Sequence, residues 1–215
     1  LVTYTYMGHV TAKHIKKFIA EGKLGKVRTV MAEYPQGWLA YEGEWGGKQG
    51  EWRCDPEQSG GVNCLGDLGT HVENAVATMT GLKIKRVLAK MDIVVPGRVL
   101  DDNDVVMVEY EGGATGCYWT SQFAIGHKND LRVRIYGEKG SIRSAAEFNQ
   151  QGTLSWRLTM NGHTEEKTVF APQNYRLEVE QLGRCILNGE TPHVSEQFSL
   201  MLARTMDRIL AAICY

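Results

Sequence analysis

The chain has 215 residues, 43% hydrophobic and 23% charged, with 24 lysines and arginines against 25 aspartates and glutamates for a formal net charge of −1. That balance belongs to an ordinary folded protein and excludes a disordered or fibrous chain. It lacks the basic excess that nucleic-acid and anionic-membrane binders carry, and no apolar run reaches the ~18 residues that span a bilayer.

In chain order, Val2 to Tyr6 alternates and predicts a short strand. A helix is predicted over 11–21, with Ile15, Phe18 and Ile19 on one face and Gly22 and Gly25 ending it. Val27 to Tyr34 predicts the next strand. Residues 35–66 then lose all periodicity: eight glycines surround Trp38, Trp45 and Trp52. A loop so long inside one domain tends to bind or cover a ligand, and three indoles are poor candidates for open solvent. Asp67 to Thr80 predicts a helix closed by Gly81.

From Ile84 the pattern is β, with strands expected at 84–92, 103–111, 114–124, 131–136, 154–159 and 167–170. Gly112-Gly113 marks a tight hairpin, and residues 137–140 mark another turn. Amphipathic helices are expected at 175–187 and 196–213, the second with Phe198, Leu202, Met206, Ile209 and Ile213 in one stripe. Strands in series with helices grouped around them predict an α+β fold, one open and mostly antiparallel sheet with helices on a single face, over one domain of 1–215. Alternation in the strands at 103–111 and 114–124 puts apolar side chains on both faces. The face carrying Trp119 or Tyr118 is expected to be covered by a second copy.

The five cysteines, an odd number with no close pair, point to reduced thiols and a cytoplasmic protein. No zinc-type spacing, nucleophile elbow or dinucleotide fingerprint occurs. No metal is expected on that basis, and a metal-dependent hydrolase is a remote reading.

The strongest constellation is Ser59-Gly-Gly61 followed by Asp67-Leu-Gly-Thr-His71. Asp67 and His71 stand four positions apart and share a helix face. Near a helix start the macrodipole favours a carboxylate and keeps an imidazole neutral, which suits a general base; the carboxylate orients the ring or takes a substrate hydroxyl. The alternative, a plain N-cap and a satisfied histidine, weighs equally on spacing alone. Trp52-Arg53 offers an aromatic face and a guanidinium for a polyol, or simply a cation–π pair. Gly126-His127-Lys128-Asn129-Asp130 is a polar cluster that lines a pocket or forms a solvated turn.

These features resemble the C-terminal domain of the glucose–fructose oxidoreductase/inositol dehydrogenase (Gfo/Idh/MocA) family. The residues that carry the likeness are Val2-Thr-Tyr-Thr-Tyr6, Glu21-Gly-Lys-Leu-Gly25, Trp52-Arg-Cys-Asp-Pro56, Ser59-Gly-Gly61, Asp67-Leu-Gly-Thr-His71, Asp102-Asn-Asp104, Asn129-Asp-Leu131 and Tyr136-Gly-Glu-Lys-Gly140. The resemblance implies an NAD- or NADP-dependent dehydrogenase of sugars, cyclitols or related polyols. In it His71 is the acid/base, Asp67 positions substrate and histidine, and Tyr6, Trp52, Arg53, His127 and Asn129 are candidate substrate contacts. It also implies a homodimer through the free sheet face. The Gly-rich cofactor fingerprint and the Glu-Lys-Pro element of the family do not occur, and Met7 stands where many relatives have arginine. The chain is therefore expected to be the substrate-binding and assembly half of an oxidoreductase, separated from its N-terminal Rossmann domain and inactive alone. The rival reading is a non-catalytic sugar-binding or oligomerisation module.

Overall fold

The computed structural model describes residues 2–41, 47–144, 152–171 and 173–213. Trp45 and Cys214 lie outside the described residues. The sheet has eight strands: β1 (Val27–Pro35), β2 (Ile84–Asp92), β3 (Asn103–Tyr110), β4 (Thr115–Ser121), β5 (Arg132–Gly137), β6 (Gly140–Ser144), β7 (Gly152–Met160) and β8 (His163–Ala171). Their order is β2-β3-β4-β1-β5-β6-β7-β8, antiparallel throughout except for the parallel pair β1 and β4. The helices are α1 (Val10–Ala20), α2 (Lys48–Cys54), α3 (Pro56–Ser59), α4 (Thr70–Thr80), α5 (Asn174–Asn188) and α6 (Glu196–Ala211). The open, mostly antiparallel sheet of the sequence reading is thus the observed architecture. None of the described helices is long and apolar enough to cross a membrane.

Period-two alternation sorts the sheet into two faces. Val30, Ala32 and Tyr34 of β1, with Val106, Val108 and Tyr110 of β3, are buried in one core with Ile15 of α1, Val72, Val76 and Met79 of α4, and Ile209 of α6. The opposite face leaves Leu88, Val105, Met107 and Tyr136 exposed. Tyr118, expected on that open face, is instead 2% exposed on the core side. Its hydroxyl donates to Glu73 of α4 at 2.7 Å, because the β3–β4 register sets Tyr118 opposite the inward-pointing Val106.

Several local expectations are corrected. Residues 2–6 form no strand; Thr5–Gly8 is a 3-10 turn. β1 is already paired on both sides, by β4 and β5, so no free edge remains beside it. The segment 35–66 is not uniformly irregular, since α2 and α3 interrupt it. Pro56 sits at the start of α3, where Asp55 accepts from the Glu57 N–H and pins an otherwise polar stretch. β6, short and packed between β5 and β7, was not legible as a strand. Helix α5 turns Tyr175, Val179 and Ile186 outward. Among the described residues the four cysteines are free thiols.

Candidate functional site

The helix that carries the acid and the imidazole begins with a π turn, Leu65–Gly69, which runs directly into α4. Asp101 fastens this entry, while its neighbour Asp102 caps the stretch that follows β2. Asp101 accepts from the backbone N–H groups of Asn63 and Leu65, both at 2.6 Å, and is 4% exposed. Asp102 accepts in the same way from Val94 and Val95, at 2.8 Å each. Buried N–H groups without partners are costly, so these carboxylates serve as backbone caps where no strand or helix supplies one.

The π turn gives Asp67 and His71 a common side facing a hollow of about 400 Å³. Tyr6, Arg53, Asp67, His71 and Asn129, all named from sequence, line it. So do Tyr34, Gln36, Trp38, Gln49 and Lys128, which were not singled out as site residues. Trp52 stands outside, 37% exposed, stacking on Arg53 with the guanidinium carbon 4.3 Å from its ring centroid. His127 also stands outside, its Nδ1 2.9 Å from Asp130. The loop of 126–130 is therefore divided: His127 ties it down, while Lys128 and Asn129 face the hollow.

Asp67 does not hold the histidine ring. Its Oδ2 accepts from Arg53 Nε at 2.8 Å and from Gln122 Nε2 at 3.4 Å. His71 is held by aromatic rings: Tyr6, Tyr4 and Tyr34 lie with centroids 4.9, 5.3 and 6.0 Å from it. Its pKa is lowered from the usual imidazole value chiefly by burial, against an opposing pull from the Asp67 charge. Burial, not the helix dipole invoked from sequence, is what favours the neutral imidazole here. The helix already starts at the π turn, so His71 is not in its first turn and desolvation takes the role assigned to the macrodipole.

A hydrogen-bonded chain crosses the floor of the hollow. The Tyr6 and Tyr34 hydroxyls are 2.9 Å apart; Tyr34 donates to Asn129 Oδ1 at 2.6 Å, Gln36 Nε2 donates to the same oxygen, and Trp38 Nε1 donates to Gln36 Oε1. Burial, with help from the neighbouring Tyr6, raises the Tyr34 pKa far above the ordinary phenol range, so its proton stays put. The members come from the first turn, the end of β1 and the residues just after it, and the 126–130 loop, brought together by the pairings of β1 with β4 and β5. One sequence signal was available for Tyr34 and Gln36: both alternate with glutamate and proline at the end of a strand leading into a Trp-bearing loop.

Among the described residues, one group of side chains could gather around an ion: Cys64, Asp101 and Asp104, all buried. Both oxygens of Asp101 are already engaged by backbone N–H groups, and Asp104 accepts from Thr120 Oγ1 at 3.0 Å. Burial, followed by the Asp101 charge, raises the Asp104 pKa to about 8. That describes a protonated acid beside a carboxylate. Gly112 and Gly113 form the β3–β4 hairpin with positive φ values of 82° and 86°, between two strands and away from any described helix N-terminus.

An uncharacterized oxidoreductase of Bacillus subtilis, YfiI, is 37% identical over 144 residues, 66% of this chain and 37% of that protein. A D-xylose 1-dehydrogenase (NADP(+)) of Haloferax volcanii is 28% identical over 159 residues, 73% of this chain and 47% of the relative. The chain thus spans less than half the length of either curated relative. The crystal structure of an inositol dehydrogenase homolog from Azotobacter vinelandii, complexed with NAD+, shares the fold with a TM-score of 0.81 at 23% identity, over 98% of this chain and 62% of that one. Residues 12–143 match the model of the GFO/IDH/MocA C-terminal domain. That stretch holds the π turn, the Asp67–His71 pair and the 126–130 loop, and the chain belongs to the GFO/IDH/MocA family through its C-terminal domain.

Proposed function

We propose that this chain is the substrate-binding half of an NAD- or NADP-dependent oxidoreductase acting on a sugar, cyclitol or related polyol, with His71 moving the hydroxyl proton. The observation that carries the reading is the neutral, aromatic-walled His71 opening on the same hollow as Asp67 and Arg53. A hydroxyl placed between them meets an imidazole free to accept its proton and a carboxylate oxygen able to fix its orientation. Asp67 is in turn held by Arg53, which keeps its carboxylate aimed into the hollow. The Tyr6–Tyr34–Asn129 chain presents a rigid polar floor that orients a ring without changing protonation. A nicotinamide held outside these residues would supply or accept the hydride, and the C-terminal domain by itself is expected to bind without turning over.

In the complete enzyme, His71→Ala should leave the fold intact and reduce turnover by roughly 10²–10⁴-fold, the usual contribution of a positioned acid/base. Turnover within threefold of the parent would remove His71 from the mechanism. We further propose that the open sheet face is covered by a second copy. Leu88 (49% exposed), Val105 (38%) and Met107 (58%) lie together there, beside a shallow depression of about 720 Å³, more apolar surface than a lone domain usually leaves wet. Light scattering that returns the monomer mass at tens of micromolar would refute that assembly.

A further inference from the structure

The hydrogen bonds around the hollow are unevenly spent. Each of its three side-chain amides has its carbonyl occupied from within the protein. Gln36 Oε1 accepts from Trp38 Nε1, Asn129 Oδ1 from Tyr34 and Gln36, and Gln49 Oε1 from Arg53 Nη1 and, at 3.3 Å, Trp52 Nε1. The two donors on Asn129 Oδ1 settle which way that amide faces, leaving its NH2 as the group it can offer. What remains for a ligand on this side is therefore donors.

Charge leans the same way. Among the described residues the hollow holds two cations, Arg53 and Lys128, and one carboxylate, Asp67. Arg53 is paired with Asp67. Lys128 is exposed at the rim and takes part in no ion pair among the described residues. The acid nearest in sequence, Asp130, is already bound by both His127 and Arg132. With His71 neutral the balance is one unpaired positive charge, next to an amide that can only donate.

We propose that the substrate is a sugar or cyclitol bearing an anionic group, a carboxylate or a phosphate ester, received by the Lys128 ammonium and the Asn129 amide while the ring hydroxyls meet Asp67 and His71. The proposal rests on the polyol-binding reading and narrows it to acidic members of the class. An oxyanion accepts several N–H bonds at once and gains from the unpaired charge, whereas a neutral hydroxyl in the same place leaves the ammonium without a counter-ion.

The test is calorimetric titration of the 215-residue chain with glucuronate, glucose 6-phosphate, glucose, myo-inositol and inorganic phosphate. A charge-assisted contact made on transfer from water predicts a preference of about tenfold for an acidic sugar over glucose. The preference should shrink with added salt, disappear in Lys128→Gln and persist in Lys139→Gln, a surface control on the β5–β6 turn. Tighter binding of glucuronate alone identifies a carboxylate; tighter binding of glucose 6-phosphate alone identifies a phosphate ester. Equal binding of glucose and the acidic sugars, or a preference that survives Lys128→Gln, overturns the proposal and leaves the polyol reading standing. Inorganic phosphate binding as well as the acidic sugars reduces the site to an anion trap and also overturns it. Binding of none of the five overturns both readings together.

Discussion

The sharpest test of how the site is held is Asp101→Ala. The Asp101 carboxylate accepts two buried backbone N–H groups, Asn63 and Leu65, at 2.6 Å each, and these residues lead into the π turn that carries Asp67. Charge-assisted bonds of this kind contribute about 1.5–3 kcal/mol apiece, so losing both removes roughly 3–6 kcal/mol. That is a large part of the ~5–15 kcal/mol that holds a domain folded. Asp101→Asn keeps one acceptor without its charge and turns an NH2 toward the other N–H, so it should recover only the smaller part of that loss. Urea unfolding followed by tryptophan fluorescence at pH 7 reads both variants, with the midpoint falling at unchanged slope. A loss below about 1 kcal/mol for Asp101→Ala would show that solvent or rearranged backbone satisfies those N–H groups, and would refute the capping argument.

Raising the pH through neutrality should destabilise the fold. Burial raises Glu73 to about 7 and Asp104 to about 8, so the native state holds protons that the unfolded chain has already released. Stability then falls with rising pH by about 1.4 kcal/mol per unit for each group still protonated in the fold. The loss runs up to each folded pKa and ends there. Melting temperature should therefore decline between pH 6.5 and 8, a window above the titration of the buried histidines. Asp104→Asn should flatten most of that decline, and a melting temperature that stays level or rises in the parent would contradict it. At the site, Asp67→Asn removes the one influence that raises the His71 pKa and leaves desolvation unopposed. The His71 Cε1–H resonance should then titrate at lower pH than in the parent, and an upward move would show that Asp67 does not sense the ring.

The sequence by itself determined the periodic elements. The stripe on α6, with Leu202, Met206 and Ile209 buried, follows from spacing alone. So do the alternation of β3 and the Gly112-Gly113 hairpin, because 3.6- and 2-residue periods and positive φ are local properties. The common side shared by Asp67 and His71 was legible for the same reason, being a matter of four positions along one helical run. Tertiary structure decided what no local pattern contains. It made Thr5–Gly8 a 3-10 turn where a strand was expected over Val2–Tyr6, and it turned Tyr118 inward onto Glu73. It also gave Asp67 to Arg53 instead of to the imidazole, and joined Tyr6, Tyr34 and Asn129 across the floor of the hollow. Those contacts join residues separated by 14 to 95 positions. Their existence depends on strand order and on which groups burial strips of water, and both are settled only when the whole sheet closes around its core.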